Sequence, residues 1–578
     1  MATTAISSPR PANRQLTVVS RNRQELVGGI TRAEIRFVAW TALALGVLST
    51  LPYALGRFLY IRGTIFTGIL NHSLDSNNYM AYIHQAASGH WLFRNPMTPE
   101  PHTAVFFNLE WLVAGKIAAL LHVSLAAAVD MQRLFCLVLM CAGVYWLASN
   151  LFSSVLVRQV ALVAVMAGGG FGWIAAVHVL HIPLNSDYFQ DLSNGNLFPF
   201  YWALKLPHFL ISESFVVLGL ALFVHAERRH QLLYYVSAGI AWMAAGACRP
   251  YDMLFVMLAV GLFTAVSLRG RRDSLSLALI RLLPVALCVP VLAYYFWIFK
   301  LHPVFRWWSN PGSPGPAPWI LALSYGPSFL VFLYSLGKLR KRISDSHAGF
   351  MICCLVTACV LSYCHHWLHF AFQFATSIVL PMLMVAFLGL EETIAKWEAQ
   401  TRRPHLWIAV LLLANSLTSL ALSAQVIWLV KKGDFRADAE LVNAFHWVNA
   451  HSQAEDVVLA DFETSNEMAQ YTHNAMFCGY INAVDFNRKA DMQERFLDPK
   501  TTDQFRRSVL QAQRIRFVLL TREESVRLDF FHGESSLSEV FENNSAVVFE
   551  TGRGNQGQGF ITRAAEIIQP EVRNIEAR

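Results

Sequence analysis

His72–Glu110, HSLDSNNYMAYIHQAASGHWLFRNPMTPEPHTAVFFNLE, follows the first long apolar segment of the chain and is too polar to stay in lipid, yet it carries aromatic residues along its length. Such a stretch reads as a loop folded on a membrane surface, its rings at headgroup level and its carboxylates, amides and imidazoles in water. The segment before it, Phe37–Leu55, is uncharged and long enough to cross the roughly 30 Å of hydrocarbon in a bilayer. It reads as a signal anchor. The polar opening, residues 1–34, contains several Arg but no apolar core of its own, so it is expected to be a cytoplasmic tail and not a cleaved leader.

Composition extends this reading to the whole chain. With 54% hydrophobic and 13% aromatic residues but only 15% charged ones over 578 residues, the protein is too apolar and too long for one soluble core. Residues 35–430 hold nearly all the long apolar runs, whereas 433–578 have the charge density of a soluble domain. The formal charge of +7 comes partly from Arg and Lys in short connectors, the positive-inside bias of a membrane protein, and no basic patch interleaved with aromatics points to nucleic acid. Eight of the nine Cys lie in apolar segments and Cys478 is alone in the hydrophilic part, which leaves neither a disulfide framework nor a CxxC zinc pair.

Twelve apolar segments are visible, at about 35–57, 105–121, 133–151, 158–181, 208–225, 233–248, 251–268, 278–299, 319–337, 349–364, 370–390 and 406–430. The basic connectors at Glu227–Arg229, Arg269–Arg272, Lys338–Arg342 and Lys396–Arg403 belong on the cytoplasmic side with the N-terminus. That puts the loops 58–104, 182–207 and 300–318, the turn Arg249-Pro250-Tyr251-Asp252, the cluster His365-His366-Trp367-Leu368-His369 and the C-terminal domain on the outside. An N-terminus inside and a C-terminal domain outside require an odd number of crossings, and twelve is even. Either 105–121, interrupted by Asn108, Glu110 and Lys116, or 158–181, which contains Gly168-Gly169-Gly170, fails to cross fully, or a further crossing is hidden. The glycines are equally readable as a close helix contact.

Beyond residue 430, helical spacing at Leu441, Val442, Phe445 and Val448 and at 501–513 alternates with short apolar strands at 456–460, 516–520 and 546–550, the pattern of a small α/β domain over 431–552. Residues 553–578, rich in Gly and Gln at their start, read as a flexible tail. The fold expected is therefore an α-helical polytopic membrane domain of about 11–13 transmembrane helices with a soluble C-terminal α/β domain.

Polar residues beside a membrane cavity are costly unless paired or used. Asp75, with Asn77, Asn78, Tyr79, Tyr82 and Gln85 following, has the chemistry of a general base or an oxygen ligand for a divalent cation, and equally that of an N-cap for a helix beginning near Ser76. Glu100, His102, Asn108 and Glu110 read as a site or as a solvated rim. Asp187, Asp191, Lys205, His208 and Glu213 surround a helix start marked by Pro207, and suit helix-end pairing as well as a site. Arg249 has the fork that binds a phosphate, unless Asp252 neutralises it locally. His365, His366 and His369 have metal-compatible spacing, but such a cluster beside Trp367 is more often structural, and no metal ligand is assigned.

The pattern Asp75, Tyr79, Gln85, Gly89 behind a signal anchor resembles the GT-C superfamily of polytopic, polyprenyl-phosphate-sugar-dependent glycosyltransferases. WLFRNPMTPEPH, GGGFGW, LPHF, RPYD, VVLADFETSN and CGYINAVDFNRK are similar to a group of large bacterial membrane proteins placed in it, over about residues 35–550. The resemblance implies a multi-pass protein of the cytoplasmic (inner) membrane that moves a sugar, with inversion, from a polyprenyl-phosphate donor to a lipid, glycan or protein acceptor of the cell envelope. It implies Asp75 as catalytic base or metal contact, and the expected topology, with no motif behind it, adds Arg249 as a contact to the leaving phosphate and Asp187 or Glu213 as a second acid. Tyr79, Gln85, Glu100, His102, His208 and Asp252 complete the expected substrate-binding set. Ser76 stands where many members have a second acid, which leaves dependence on a divalent cation open. A transporter or flippase of lipid-linked sugars and a non-catalytic envelope scaffold are the competing classes.

Overall fold

The structure is a computed structural model that describes residues 29–71, 74–174, 189–193, 197–270, 274–308, 315–339, 346–368, 370–528, 530–534 and 536–552. Asp187, His369 and the expected tail at 553–578 lie outside the described residues.

The first helix, α1 (Arg32–Phe58), begins with a capping box in which Thr31 accepts from the Glu34 amide and Glu34 accepts from the Thr31 amide. The loop after it forms β1 (Thr64–Phe66) and a hairpin of two short helices, α2 (Leu74–Ala87) and α3 (Leu109–Leu121). Then come α4 (Leu125–Leu151), α5 (Val155–Met166), the short α6 (Pro199–Lys205), and the long α7 (Pro207–Arg229), α8 (Leu232–Cys248), α9 (Pro250–Arg269) and α10 (Leu275–Phe296). The bundle closes with α11 (Pro318–Leu339), α12 (Ser346–Leu361), a 3-10 segment at Ala371–Ser377 leading into α13 (Val379–Gln400), and the pair α14 (Pro404–Asn415) and α15 (Leu417–Lys432).

Among the described residues seven helical stretches are long and apolar enough to cross a membrane, an eighth arises if the α14–α15 pair, bent by 52°, is one span, and three apolar helices are shorter. This is a multi-pass membrane protein. α3 is not among these stretches: its 13 residues extend about 20 Å, too little for a span, and it lies against α2. Of the two segments suspected of not crossing, 105–121 holds the 13-residue α3 beside the loop, and 158–181 holds the 12-residue α5, with 175–181 outside the described residues.

The two ends of the bundle carry different groups. At one end Glu34 meets Arg158 at 2.9 Å and Tyr145 at 2.8 Å, Arg281 grips Glu227 at 2.6 Å, and Glu391 accepts from the Ser153 and Ser154 amides at the start of α5. The opposite end carries the loop after α1, the starts of α7, α9 and α13, and the C-terminal domain. In between, α5 stops before Gly168, α11 is kinked at Gly326 with a φ of +48°, and α14 and α15 meet at Ser416. The three breaks touch: Gly169 donates to the Asn415 carbonyl, and a Cβ on Gly170 would fall 1.9 Å from the Ser324 carbonyl.

The C-terminal domain has a five-stranded sheet flanked by helices. β2 (Arg436–Asp438) pairs antiparallel with β1, so the domain's first strand is bound to the loop after α1. Next come α16 (Ala439–His451), β3 (Val457–Leu459), α17 (Phe462–Met468), β4 (Ala475–Met476), α18 (Phe486–Leu497), α19 (Asp503–Ala512), β5 (Ile515–Thr521), β6 (Leu537–Glu542) and β7 (Ala546–Thr551). The sheet order is β4-β3-β5-β7-β6, with β3 parallel to both neighbours and β7 antiparallel to β5 and β6. Loop residues Ala81 and Met97 are buried in the core on one side of this sheet. Tyr82, Phe93, Phe106 and Trp111 form a separate aromatic core against Tyr295, Ile298 and Phe305.

The α2–α3 hairpin closes on a glycine. A Cβ at Gly115 would sit 2.4 Å from the Ala86 Cβ and 2.6 Å from the Ile83 carbonyl oxygen. Gly115→Ala is expected to destabilise the protein by about 1–3 kcal/mol through overpacking, read as a lower melting temperature of the purified protein in detergent.

Candidate active site

α2 already includes Leu74, so Asp75 lies inside its first turn and is not the cap of a helix starting at Ser76. A carboxylate there still gains from the positive end of the helix. The hydroxyl of Tyr480, from the C-terminal domain, donates to Asp75 Oδ1. Asp75 is exposed on one side and hemmed in by protein on the others. Desolvation in that recess raises its pKa above the ordinary value, and the neighbouring His208 offsets this in part.

Four more elements bring polar groups to the same end of the bundle. Asn108 caps α3, accepting from the Trp111 amide and donating to the Cys248 carbonyl. That places Glu110 where its Oε2 meets His208 Nδ1 at the start of α7, the start that Pro207 marks. Tyr79 lies over Trp111 and His208, with ring centroids 5.1 and 4.9 Å away. Burial, then the charges of Asp75 and Glu110, push the Tyr79 phenol well up, so it stays a hydrogen-bond donor. Arg249, between α8 and α9, lies 3.1 Å from Asp252, donates to Gln373 at 3.1 Å and stacks 3.8 Å above the Phe209 ring. Arg249 and Asp252 are both buried. Glu213, one turn deeper in α7, accepts from Thr376 and Ser377 at 3.0 Å each.

Asp75, Tyr79, His208, Arg249, Asp252 and Glu213 are therefore gathered at this end, with Glu110 and Tyr480 added. Glu100, His102 and Gln85 are engaged elsewhere in the loop. Glu100 pairs with the buried Lys489 of α18. His102 accepts from the Asn95 amide at Nε2 and donates to the Glu100 carbonyl from Nδ1, the pattern of a neutral ring, and burial lowers its pKa accordingly. Gln85 clamps Arg94 through both its amide atoms. His365 and His366 stack on each other with centroids 4.1 Å apart. Among the described residues no group of three or more His, Cys, Asp or Glu has the geometry to hold a metal ion.

Sequence reasoning named Asn77 and Asn78 beside Asp75 but passed over Tyr480, Gln373 and the carboxamides that meet those two from the domain. Asn77 donates to Asn466 and accepts from Gln470, Asn482 donates to Asn78, and Asn95 donates to the Asn482 carbonyl. The signal was present as the paired polar runs SNNY and YIN within the two family-like motifs, but nothing in their spacing joins positions about 400 residues apart.

The pair Glu100–Lys489 tests this seam. Glu100→Gln leaves a buried ammonium without its counter-charge. Because Glu100 is partly exposed, the expected loss is about 1–2 kcal/mol and not the ~3–5 kcal/mol of a fully buried pair. It should appear as earlier proteolytic release of the C-terminal domain, with the helical bundle intact.

No protein-family model and no curated protein matches the sequence. Solved structures do. An archaeal oligosaccharyltransferase from Archaeoglobus fulgidus, in complex with an inhibitory peptide and a dolichol-phosphate, superposes with a TM-score of 0.55 at 12% identity over 86% of this chain and 72% of that one. ArnT from Cupriavidus metallidurans, bound to undecaprenyl phosphate, gives 0.51 at 11% identity over 92% of this chain and all of that one. A mycobacterial arabinofuranosyltransferase gives 0.52 at 13% identity over 92% of this chain, which spans 40% of its length. At such identities the likeness is one of fold alone, and that fold is shared with all three.

Proposed function

We propose that the protein is a GT-C glycosyltransferase that moves a sugar from a polyprenyl-phosphate donor to a cell-envelope acceptor at the outer face of the cytoplasmic membrane. The observation that carries this reading is Asp75. Its accessible carboxylate, with its pKa raised by desolvation, stands beside His208, Tyr79 and Tyr480 at the end of the bundle where the C-terminal domain sits, in a fold shared with structures that hold lipid phosphates.

In the reaction, an acceptor hydroxyl or amine attacks the anomeric carbon, its X–H proton passes to Asp75, the new bond to the sugar forms, and the bond to phosphate breaks with its electron pair leaving on the phosphate. A single displacement of this kind inverts the anomeric centre. A carboxylate with a raised pKa is a stronger base than an ordinary one, which is what proton abstraction from a weakly acidic group needs. Arg249 supplies positive charge toward the leaving group. Its guanidinium is shared with Asp252 and Gln373, so an arriving phosphate competes with Asp252 for it. Glu213, which bonds Thr376 and Ser377, holds the 3-10 segment that carries Gln373.

The test is transfer from labelled polyprenyl-phosphate sugars by the purified protein in lipid nanodiscs. Asp75→Asn keeps the shape of the side chain and removes the base, and is expected to lower the rate about 100- to 10,000-fold. In the wild type the rate should rise with pH through a midpoint above the ordinary carboxylate range, because protonated Asp75 accepts no proton. Undiminished transfer by the variant defeats the assignment.

One observation favours a second reading, passage of a lipid-linked sugar across the bilayer. Broken helices around a polar residue are the construction of many transporter sites. Here the breaks at Gly168–Gly170, Gly326 and Ser416 surround Asp191, which is buried, accepts from the Gly170 and Gly172 amides at Oδ2, and has no hydrogen-bond partner for Oδ1 among the described residues. If that site serves transport, proteoliposomes will move a fluorescent lipid-linked sugar between leaflets and Asp191→Asn will stop it. A rate equal to that of protein-free liposomes removes this reading.

A further inference from the structure

We infer that the C-terminal domain contributes a residue to the site itself: Tyr480 is a positioning residue that orients the Asp75 carboxylate and sets its basicity. The inference rests on Asp75 being the functional carboxylate.

The geometry begins in the backbone. The loop segment Pro96–Met97 runs beside β4 and the residues after it, with the Met476 amide donating to the Pro96 carbonyl at 2.8 Å and the Gly479 amide to the Met97 carbonyl at 3.2 Å. A Cβ on residue 479 would stand 2.8 Å from the Met97 sulfur, so glycine lets the two chains close. Immediately after this contact Tyr480 turns its buried ring toward α2 and its hydroxyl donates to Asp75 Oδ1. The flanks are held independently: Asn482 bonds Asn78 and Asn95, Val484 donates to Thr98, and Asn466 and Gln470 bond Asn77. Tyr480 therefore comes to Asp75 on a frame fixed at several points, where a flexible side chain would lose entropy on binding.

A phenol donating to a carboxylate stabilises the ionised form and fixes which oxygen faces outward. Oδ1 is occupied by Tyr480, which leaves Oδ2 as the oxygen for an incoming acceptor. The charged and titratable groups around Asp75 are Tyr79 on its own helix, His208 on α7 with Glu110 of α3 behind it, Arg249 beyond Tyr79, and Tyr480 on the domain side. Of these Tyr480 alone makes a hydrogen bond to the carboxylate among the described residues.

The test reads Asp75 directly and needs no substrate. A water-soluble carbodiimide with a small amine couples to the protonated carboxyl, and mass spectrometry of the Asp75 peptide follows labelling against pH in full-length protein. In Tyr480→Phe, which keeps the ring, the labelling midpoint should rise by about one pH unit, a tenfold change in proton affinity, while the melting temperature stays within a few degrees of wild type. An Asn482→Ala variant weakens the seam without touching Asp75 and should lower the melting temperature with the midpoint in place. A midpoint in Tyr480→Phe that stays put or falls overturns the inference. Transfer assays separate it from the proposed function. If Asp75→Asn abolishes transfer while the acid limb of Tyr480→Phe coincides with that of wild type, Tyr480 is structural and the base assignment survives. If Asp75→Asn transfers normally, the base assignment fails whatever Tyr480 does.

Discussion

The contact between the first loop and the C-terminal domain is the constraint on which the rest of the site depends. Residues 64–66 pair with 436–438, 96–97 bond 476–479, and Ala81 and Met97 pack into the core beside the sheet. α2 is a short helix of low apolar content, too short to be stable alone in water. It is held on one side by α3 and the aromatic core around Trp111, and on the other by carboxamides of the soluble domain. A carboxylate mounted on such a helix has a defined position only because both supports are present.

The helical bundle solves a different problem. Charged groups at the membrane boundary are costly unless paired, and here Glu34 with Arg158, Glu227 with Arg281 and Arg249 with Gln373 join segments distant in sequence, while Arg249 with Asp252 is a local pair. At the end away from the soluble domain the partners satisfy one another, as where Arg281 and Tyr235 converge on Glu227. At the other end the arrangement is looser, for Asp75 keeps an exposed side and His208 is half-buried. Paired charges with nothing left over serve architecture, and groups with capacity left over are available to a ligand.

Hydrophobicity alone made the membrane class and most helices legible, because a span announces itself by length and by the absence of charge. It left 105–121 open, apolar yet suspected of not crossing, and the 13-residue α3 there lies along α2. The short strands β4 and β6 and the β1–β2 ribbon were also invisible, since strands of two to six residues carry little pattern and are selected by their partners. Within the site, Asp75, Tyr79, His208 and Arg249 were identified by residue type near a presumed boundary, and they do come together. Glu100, His102 and Gln85 had the same credentials, but their hydrogen bonds are spent on the fold of the loop. Residue type cannot separate a polar group that is satisfied locally from one that is open, because that difference lies in which atoms are already bonded.

The same distinction explains why a soluble domain is attached to the bundle by so polar a seam. An apolar interface would bind the domain as well, but it could not carry a hydrogen-bond donor to Asp75. Burial alone drives a carboxyl toward its neutral form, which is useless as a base, whereas full exposure leaves it weakly basic. Desolvation from the loop and the bundle pushes Asp75 one way and His208 pulls it back, and on the inference drawn above the Tyr480 hydroxyl that donates to Oδ1 pulls in the same direction as His208. In the proposed role, recess and donor come from different parts of the chain, and the run of Asn and Gln side chains between α2 and the domain holds them in register.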